Sequence, residues 1–505
     1  MNAHVIIYPI LFQGLLGVLL LFFWSNIRAQ RYLSMIGSLV GLFVALFLFQ
    51  HIWTHGTQAI QMGGWQPPFG ISLVADTLSV TMVLLTHIVG LAVSIFSSKG
   101  IVASRLKFGY YAILHFMIMG LSGAFLTGDI FNLYVWFEVI IISSFVLLTI
   151  GGKKMQIEGA VKYFTLNMLA SIVFLTAIAL LYGTTGTLNM AQLSQIIPLI
   201  EDKGLIEIIA LIFFLAFGVK AGVFPLFTWL PAAYHTPPSA VSALFGGLLT
   251  KLGLYAIIRV FTLLFPITTL NYDWIAFVAI LTIFSGAVGA FVQKDIVKIF
   301  SYLIICHIGF MLAGVGISSE VALAGAVFYM FHDIIVKSNL FLVSGVLNRI
   351  TGSTKLSSMG GVMDNYPRLA LLFAIPLFSL VGIPPLSGFW PKLSLFSASI
   401  SNERYWTLAM LIFGSFMTLV VVAKIWLAVF SRKKTITTLK NFNYFSSFTA
   451  MEKRVVIVPI VILSIVSIYI GFFAEHLQVL ANRISYELVH PREYFNAVYE
   501  FAMKK

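Results

Sequence analysis

The chain has 505 residues, of which 60% are hydrophobic and only 10% are charged. Soluble domains carry about 25% charged residues, so the composition excludes an ordinary soluble protein and indicates one that crosses a membrane many times. The net charge of +13 does not indicate a nucleic-acid-binding module, because the basic residues stand mainly in short loops between apolar segments. The single cysteine, Cys306, lies in an apolar stretch and excludes a disulfide framework or a cysteine-based metal site.

Fourteen segments are long and apolar enough to cross a membrane, which requires about 20 residues each. The first is expected to stay uncleaved, because the N-terminus lacks a basic n-region and a small-residue cleavage site. Asp76 and Asp129 are expected to cap the third and fifth helices, and residues 187–203 to form a short surface helix. The seventh and twelfth segments contain or adjoin prolines, which interrupt helices. In chain order the segments are 5–24, 32–53, 76–97, 108–126, 129–150, 162–183, 205–224, 239–264, 273–292, 298–316, 320–347, 367–398, 405–430 and 455–474.

The basic residues are distributed unevenly between the two sets of alternate loops. Nineteen lysines and arginines fall on one side of the predicted helices, and seven fall on the other side. Loops rich in Lys and Arg stay in the cytoplasm. The asymmetry therefore predicts that both termini lie outside the cytoplasm.

Two stretches in different halves of the chain carry the same pattern of prolines. The sequences FPLFTWLP (224–231) and PPLSGFWP (384–391) each contain Pro-Leu, then an aromatic residue, then a second proline six positions after the first. Interrupted helices at matching positions of two halves indicate the binding site of a transporter built from repeats. Two kinks that serve only packing would leave the same pattern, and the repeat alone does not decide between the two.

Five ionisable residues fall deep inside the predicted helices: Glu138, Lys220, Lys251, Lys337 and Lys392. Each costs about 2.5–3.5 kcal/mol at a helix centre, or roughly 12–17 kcal/mol together. This cost is comparable to the whole stability of a typical domain. We therefore predict that these side chains have a function, with packing and mutual neutralisation as the alternative.

Further polar residues accompany this set in the tenth, eleventh and thirteenth segments. Asp333 and Lys337 are four positions apart, so they share a helical face and can neutralise each other in a purely structural role. His332 and His307 are each interpreted either as proton relays or as hydrogen-bonded packing residues. No further ligands stand at metal-binding spacing, so no metal site is predicted. Lys424 is expected to reach the cytoplasmic surface and to be structural.

Buried lysines with one carboxylate favour proton transfer over sodium binding. Burial disfavours the charged form of a lysine, and a nearby carboxylate favours it. A row of such groups can pass protons, because a change of charge at one group alters the cost of charge at the next. Sodium prefers carboxylate and carbonyl oxygens, whereas this row is rich in lysine.

Several motifs together resemble the proton-translocating antiporter-like subunits shared by respiratory complex I, membrane-bound hydrogenases and Mrp-type Na+/H+ antiporters. The resemblance covers about residues 70–430. Length and sequence are most similar to the D-type subunits of the Mrp branch, since the A-type subunits are several hundred residues longer. The motifs are FGVKAGVFPLFTWLPAAYHTPPSAVSALFGGLLTKLGLYAIIR (217–259), QKDIVKIFSYLIICHIGFM (293–311), KLSSMGGV (355–362) and GIPPLSGFWPK (382–392).

The resemblance implies an all-helical (all-α) polytopic fold with about 14 transmembrane helices, two inverted five-helix repeats, and breaks in helices 7 and 12. It divides the chain into helices 1–3 (1–107), a first repeat (108–264), a second repeat (265–430) and a loop, last helix and tail (431–505).

The resemblance also implies roles for individual residues. The essential Glu–Lys pair of the family maps onto Glu138 and Lys220, its central lysine onto Lys251, its tenth-helix polar position onto His307, and its terminal residue onto Lys392. At the eleventh-helix motif the chain has His332, Asp333 and Lys337. Some relatives carry a histidine where Asp333 stands, so this position departs from the pattern.

The function implied is proton translocation within a cation/proton antiporter of a bacterial plasma membrane, driven by the proton motive force. It is secondary transport rather than enzyme catalysis, with no cofactor. The implied partners are the other Mrp subunits, the lipid bilayer, protons and the exchanged Na+. Two alternatives stay open: a proton-pumping subunit of a redox-driven complex, and a non-conducting scaffold. A terminal lysine, Lys392, disfavours the complex I member that ends its row in glutamate.

Overall fold

The computed structural model describes residues 3–266, 271–433 and 445–503, and it is almost entirely helical. Within these residues, twelve helices are long and apolar enough to cross a membrane. Two shorter apolar helices, Tyr110–Leu126 and Pro367–Val381, lie at the fourth predicted segment and in the first half of the twelfth. The predicted polytopic, all-helical architecture is therefore confirmed. Lys434 and Lys440 of the predicted basic loop lie outside the described residues.

The N-terminal part contains three long helices and a β-hairpin. Asp76 caps the third helix as predicted, since its carboxylate accepts a hydrogen bond from the Ser79 backbone N–H at 2.9 Å. The same carboxylate forms a buried ion pair with Arg259 at 2.6 Å. The hairpin is not among the predicted elements, because four-residue strands carry no clear hydrophobic period. The elements are α1 (Tyr8–Phe22), α2 (Ile27–His55), the antiparallel strands β1 (Gln58–Gln61) and β2 (Ser72–Ala75), and α3 (Thr77–Gly100).

The following group of helices contains the first proline break. Asp129 caps its second long helix as predicted, because its carboxylate accepts from the Asn132 backbone N–H at 2.8 Å. The predicted surface segment is a short helix, Met190–Ile196, whose inner side is buried. The helices are α4 (Ala103–Leu106), α5 (Tyr110–Leu126), α6 (Ile130–Thr149), α7 (Lys154–Thr185), α8 (Met190–Ile196), α9 (Lys203–Ala221), α10 (Trp229–Tyr234), α11 (Ser239–Leu244) and α12 (Thr250–Leu263), with a π-helical turn at Phe245–Leu249.

The second group repeats the pattern of a long helix row followed by a broken helix. Its two central helices are the most enclosed part of the second half, since most of their residues are buried. The helices are α13 (Asp273–Val292), α14 (Ile296–Ile317), α15 (Glu320–Thr351), α16 (Val362–Asn365), α17 (Pro367–Val381), α18 (Phe389–Ser401) and α19 (Tyr405–Trp426), the last continuing as a π-helical turn at Leu427–Ser431.

The C-terminal residues form one apolar helix and two amphipathic helices. The apolar helix α20 (Ala450–Phe472) is the last predicted segment, and α21 (Ala474–Val489) and α22 (Arg492–Met503) are absent from the sequence prediction because they are too short and polar to span a membrane. Glu487 of α21 accepts a hydrogen bond from the Thr77 hydroxyl at 2.6 Å. The ring of Tyr494 lies 5.5 Å from the Arg259 guanidinium. These contacts tie the tail to the ends of α3 and α12.

The two proline breaks have the same backbone geometry. Gly222 and Gly382 end α9 and α17 in the left-handed conformation, with φ of 80° and 83°, which any side chain would strain. Each glycine N–H donates back to the last turn of its helix, at 2.9 Å to Gly218 and 3.1 Å to Phe378. The two glycines therefore occupy matching positions of the sequence repeat.

Candidate functional site

Lys220 lies in the last turn of α9, beside the first break, and its side chain is buried. Its ammonium donates a hydrogen bond to the Ser171 hydroxyl at 3.3 Å and lies 4.6 Å from the centre of the Phe137 ring. The indole N–H of Trp229, just after the break, donates to the Val219 carbonyl at 2.9 Å. This bond joins the two halves of the broken helix next to the lysine, which fixes the backbone that carries the charge.

Glu138 follows Phe137 on α6 and is half-buried. One of its carboxylate oxygens is buried without a hydrogen-bond partner among the described residues. Within that part of the chain, no contact of 4.0 Å or less joins Glu138 to Lys220. Glu138 directly follows Phe137, whose ring lies against the Lys220 ammonium. The structure therefore places the predicted pair in one region without a direct ion pair, because Ser171 and the Phe137 ring contact the ammonium instead.

Lys251 follows the π-helical turn Phe245–Leu249 at the start of α12, and its side chain has no exposed surface. Its ammonium donates to the Gly246 carbonyl in that turn at 2.8 Å. π-Helical turns leave the regular hydrogen-bond pattern and are frequent at functional sites. Here the turn supplies a backbone oxygen that contacts a buried cation.

Asp333 of α15 lies where α12, α14 and α15 meet. Its carboxylate is 2.6 Å from the Lys251 ammonium and 2.9 Å from His307 Nδ1. The Lys337 ammonium lies 4.0 Å away. All four side chains are fully buried. One carboxylate therefore faces two lysines and a histidine, so the group carries excess positive charge unless some of the bases are neutral.

The sequence interpretation of Asp333 is incomplete. The predicted contact with Lys337 is present, but it is the longest of the three, and the shortest goes to Lys251, which is distant in sequence. Charge balance could have indicated this role, because Asp333 and Glu138 are the acidic residues deep inside the predicted helices, against four lysines. The helix that faces Asp333 depends on how the helices pack, and the spacing of residues along one helix does not predict this.

His332 points away from the Asp333 carboxylate, toward the second proline break. Its Nδ1 lies 2.8 Å from the Ser387 hydroxyl, which in turn lies 2.9 Å from the Ser467 hydroxyl. The Tyr329 ring packs edge-on between His332 and His307, with ring centres 5.6 and 5.5 Å apart. His332 is therefore adjacent to the charged group through Tyr329 and is hydrogen-bonded to a separate serine pair.

Lys392 lies on α18, just beyond the second break, and is buried. Its ammonium donates to the carbonyls of Val381 and Leu380 at 2.8 and 3.4 Å. These carbonyls end α17, where the helix dipole favours a cation. The ammonium lies 5.6 Å from the centre of the Phe310 ring, which packs against His307. Each broken helix thus contains a buried lysine, Lys220 before the first break and Lys392 after the second.

We call Glu138, Lys220, Lys251, Asp333, His307, Lys337 and Lys392 the central row. Lys424 does not belong to it, because its ammonium donates to the carbonyls of Phe291 and Gln293 at 2.8 and 2.9 Å, at the end of α13. These bonds suit the structural role predicted for this lysine. Within the described residues, no group of three or more His, Cys, Asp or Glu side chains is arranged to hold a metal ion.

Three comparisons with known proteins place the chain. Residues 127–418 match the family described as NADH:quinone oxidoreductase/Mrp antiporter, TM. The D subunit of the Na+/H+ antiporter of Alkalihalophilus pseudofirmus is 40% identical over 98% of this chain and 99% of its own length. The chain belongs to this family.

Further similar proteins agree with this placement. The D subunit of the Bacillus subtilis Na+/H+ antiporter is 37% identical, with 99% of both chains covered. A chain of the Mrp complex from Dietzia sp. superposes with a TM-score of 0.89, at 26% identity, over 99% of this chain and 100% of that one. A chain of an archaeal membrane-bound sulfane sulfur reductase has the same TM-score at 23% identity, and this likeness concerns the fold alone. The whole central row lies inside the family-matched residues.

Gly253 lets α12, which carries Lys251, pack closely against the end of α9, which carries Lys220. A Cβ at Gly253 would lie 2.5 Å from the Ala221 nitrogen and 2.9 Å from the Lys220 carbonyl carbon. Gly253→Ala is therefore expected to destabilise the protein by about 1–3 kcal/mol, the usual cost of overpacking. Thermal unfolding of the purified complex measures the effect. Gly183→Ala is the control, because a Cβ there meets nothing within 4 Å, and equal melting temperatures for the two variants would contradict the packing argument.

Proposed function

We propose that this chain is the proton-translocating subunit of a multisubunit Na+/H+ antiporter in a bacterial plasma membrane. Both bacterial relatives are named as the D subunits of Na+/H+ antiporters, and both match over nearly their full length. The partners are then the other subunits of an Mrp-type complex, and sodium is the ion that the whole complex exchanges for protons. The proton motive force drives the exchange.

The observation that carries this proposal is the fully buried group around Asp333. Two lysines and a histidine surround one carboxylate inside the helix bundle. Burying charges costs several kcal/mol per ion, and a buried ion pair contributes little net stability in return. A group with more bases than acids gains nothing structurally from its extra lysine. Its chemistry suits the binding and release of protons.

From these contacts we infer an order in which a proton would cross the chain. Glu138 and Lys220 form the first station, at the first broken helix. Gly253 brings the backbone of α12 against that of Lys220, so Lys251 and Asp333 follow. His307 and Lys337 contact the same carboxylate. Each transfer changes the charge at one station and so changes the free energy of charge at the next.

Lys392 forms the last station of the proposed path. It lies against Phe310, and the Phe310 ring contacts His307. His332 and its bonded serines lie beside this station, because Ser387 belongs to the second break. The path therefore runs from the first broken helix to the second, where the end of α17 supplies the carbonyl oxygens that Lys392 contacts.

The proposal is tested by replacing Lys220 with alanine in the whole complex. Cation/proton antiport in inside-out vesicles is expected to fall below about a tenth of the wild-type rate, since proton-transfer groups contribute roughly 10²–10⁴-fold. Lys203→Ala is the control, because Lys203 begins the same helix and its ammonium donates to the Pro198 carbonyl at an exposed position. Native gels of the same membranes report assembly.

Each outcome has a defined meaning. Loss of antiport with intact assembly in Lys220→Ala, and normal antiport in Lys203→Ala, supports a proton-carrying row. Normal antiport in both variants would mean that Lys220 is a packing charge and that the chain acts as a scaffold. Flavin or iron–sulfur absorbance in the purified native complex would instead support the redox-driven alternative.

A further inference from the structure

A polar cavity of about 570 Å³ lies apart from the central row, at the end of α15. Its volume is in the range of small-molecule binding sites, about 300–1,000 Å³. Five parts of the chain form its walls: the residues after α3, the start of α7, the connection between α10 and α11, Val297 of α14, and the end of α15 with the residues that follow it. The basic loops predicted to face the cytoplasm lie on this side of the molecule.

Four lysine and arginine side chains line this cavity: Arg105, Lys153, Arg349 and Lys355. No Asp or Glu is among its described lining residues. None of the four cations forms an ion pair within 4.0 Å in the part of the chain that the structure describes. The remaining residues, 1–2, 267–270, 434–444 and 504–505, contain no Asp or Glu. The four cations therefore have no carboxylate at ion-pair distance, although the Asp295 carboxylate accepts a hydrogen bond from the lining residue Thr354.

Arg349 is held in place by neutral contacts. Its guanidinium donates to the Gly100 carbonyl at 2.6 Å and lies 4.8 Å from the centre of the Phe448 ring. A guanidinium has five N–H donors, so these contacts leave donors free while fixing the side chain. The cavity thus contains one preorganised arginine and three cations on flexible side chains.

The general excess of basic residues on this side of the molecule does not explain why four of them line the same cavity. Retention of loops in the cytoplasm requires Lys and Arg near the helix ends, and it is satisfied equally by residues that point into water. Lys107, Lys154 and Lys294 are exposed in neighbouring loops and do not line the cavity. Cations from three segments that are distant in sequence line one polar cavity, which is an arrangement that a ligand would use.

The residues that line the cavity indicate the chemical class of its ligand. Polar groups of Ser239, Asn348 and Ser353 share the lining with the cations. The hydroxyls of Thr236 and Thr354 line it too, but they already donate to the Ala233 carbonyl and the Asp295 carboxylate. Arginine and lysine together with hydroxyl donors are the groups that bind phosphate oxygens. Basic pockets between membrane helices on the cytoplasmic side bind phosphorylated lipid headgroups.

We propose that this cavity binds a phosphate-bearing anion, either the headgroup of an anionic phospholipid or free phosphate. The site is independent of proton translocation through the central row. A phosphate group there bridges the loops that join α3, α7, α11 and α15, so its occupancy would hold these four helix ends in a fixed relation.

The test uses the whole complex with two triple variants of equal charge change. Arg105→Gln/Lys153→Gln/Lys355→Gln removes three cavity cations and keeps the arginine that is bonded to backbone. Lys107→Gln/Lys154→Gln/Lys294→Gln removes three exposed cations from neighbouring loops. Native mass spectrometry measures phosphatidylglycerol retained from mixed phosphatidylglycerol/phosphatidylcholine nanodiscs, and melting curves with sodium phosphate or sodium chloride in detergent measure free phosphate.

Loss of retained phosphatidylglycerol in the cavity variant alone, by roughly tenfold or more for three surface cations, supports the site with a lipid as its source. A melting temperature that phosphate raises in wild type and in the control, but not in the cavity variant, supports the site with free phosphate as its source. Equal lipid retention and equal phosphate response in both variants would overturn the proposal. Antiport is measured on the same preparations, so that an effect on the proton path is distinguished from an effect on anion binding.

Discussion

Asp333→Asn is expected to abolish antiport and to destabilise the protein. The substitution removes the carboxylate that lies 2.6 Å from Lys251 and 2.9 Å from His307 in a fully buried site. Breaking a buried pair by removing one partner costs about 3–5 kcal/mol, because a charge is left without compensation. The remaining lysines can avoid this cost by staying neutral, which would stop them from exchanging protons. Antiport in vesicles and thermal unfolding of the purified complex measure the two effects.

Asp273→Asn is the matched control for this experiment. Asp273 forms an ion pair with Arg404 at the same distance, 2.6 Å, but both side chains are largely exposed. Exposed pairs contribute at most about 1 kcal/mol, so this variant is expected to retain its melting temperature and its antiport. The double variant Asp333→Asn/Lys251→Met is expected to regain stability without regaining transport. Normal antiport in Asp333→Asn would exclude the carboxylate from the proton path.

Lys251→Arg is expected to reduce antiport to less than about a tenth while preserving the charge at the centre of the row. An arginine side chain is not deprotonated in proteins, so it can pair with Asp333 but cannot release a proton. Lys251→Met removes the charge as well and leaves Asp333 with less compensation. The arginine variant is therefore expected to be the more stable of the two and equally inactive. Antiport and melting temperature are measured on the same preparations.

Lys424→Arg is the control for the change of side-chain shape. Lys424 donates to two backbone carbonyls at the end of α13, away from the central row, and arginine can make the same bonds. This variant is expected to keep full antiport. If Lys251→Arg were also fully active, the row would need only a positive charge at this position, and proton release from Lys251 would be excluded.

The membrane helices and both breaks are properties of local sequence. A chain in lipid must satisfy its backbone hydrogen bonds within each helix, so hydropathy alone locates the segments. Some helices extend past the predicted bounds, as α7 does by starting at Lys154 rather than at 162. The prolines and glycines of 222–231 and 382–391 act on their own turn of backbone, and both breaks are present at those positions. The caps at Asp76 and Asp129 are equally local.

The short or polar elements cannot be predicted from hydropathy and local sequence. The hairpin of β1 and β2 forms because two four-residue strands meet across an intervening loop. Helices α21 and α22 are stabilised by contacts with distant residues, such as that between Glu487 and Thr77. Neither the hairpin nor the two helices contain a hydrophobic segment long enough to predict them. These elements are stabilised by packing on the helix bundle.

The amino-acid sequence alone predicts which charges lie inside the membrane, because a lysine or carboxylate in the middle of an apolar segment enters the bilayer with that segment. Which of these charges meet depends on how the helices pack. Asp333 contacts Lys251 and His307 on two other helices, while Glu138 makes no direct contact with Lys220 in the part of the chain that the structure describes. Helical spacing shows which face of a helix carries a charge, but the partner of that face depends on side-chain volumes and close approaches such as Gly253, which act between helices distant in sequence.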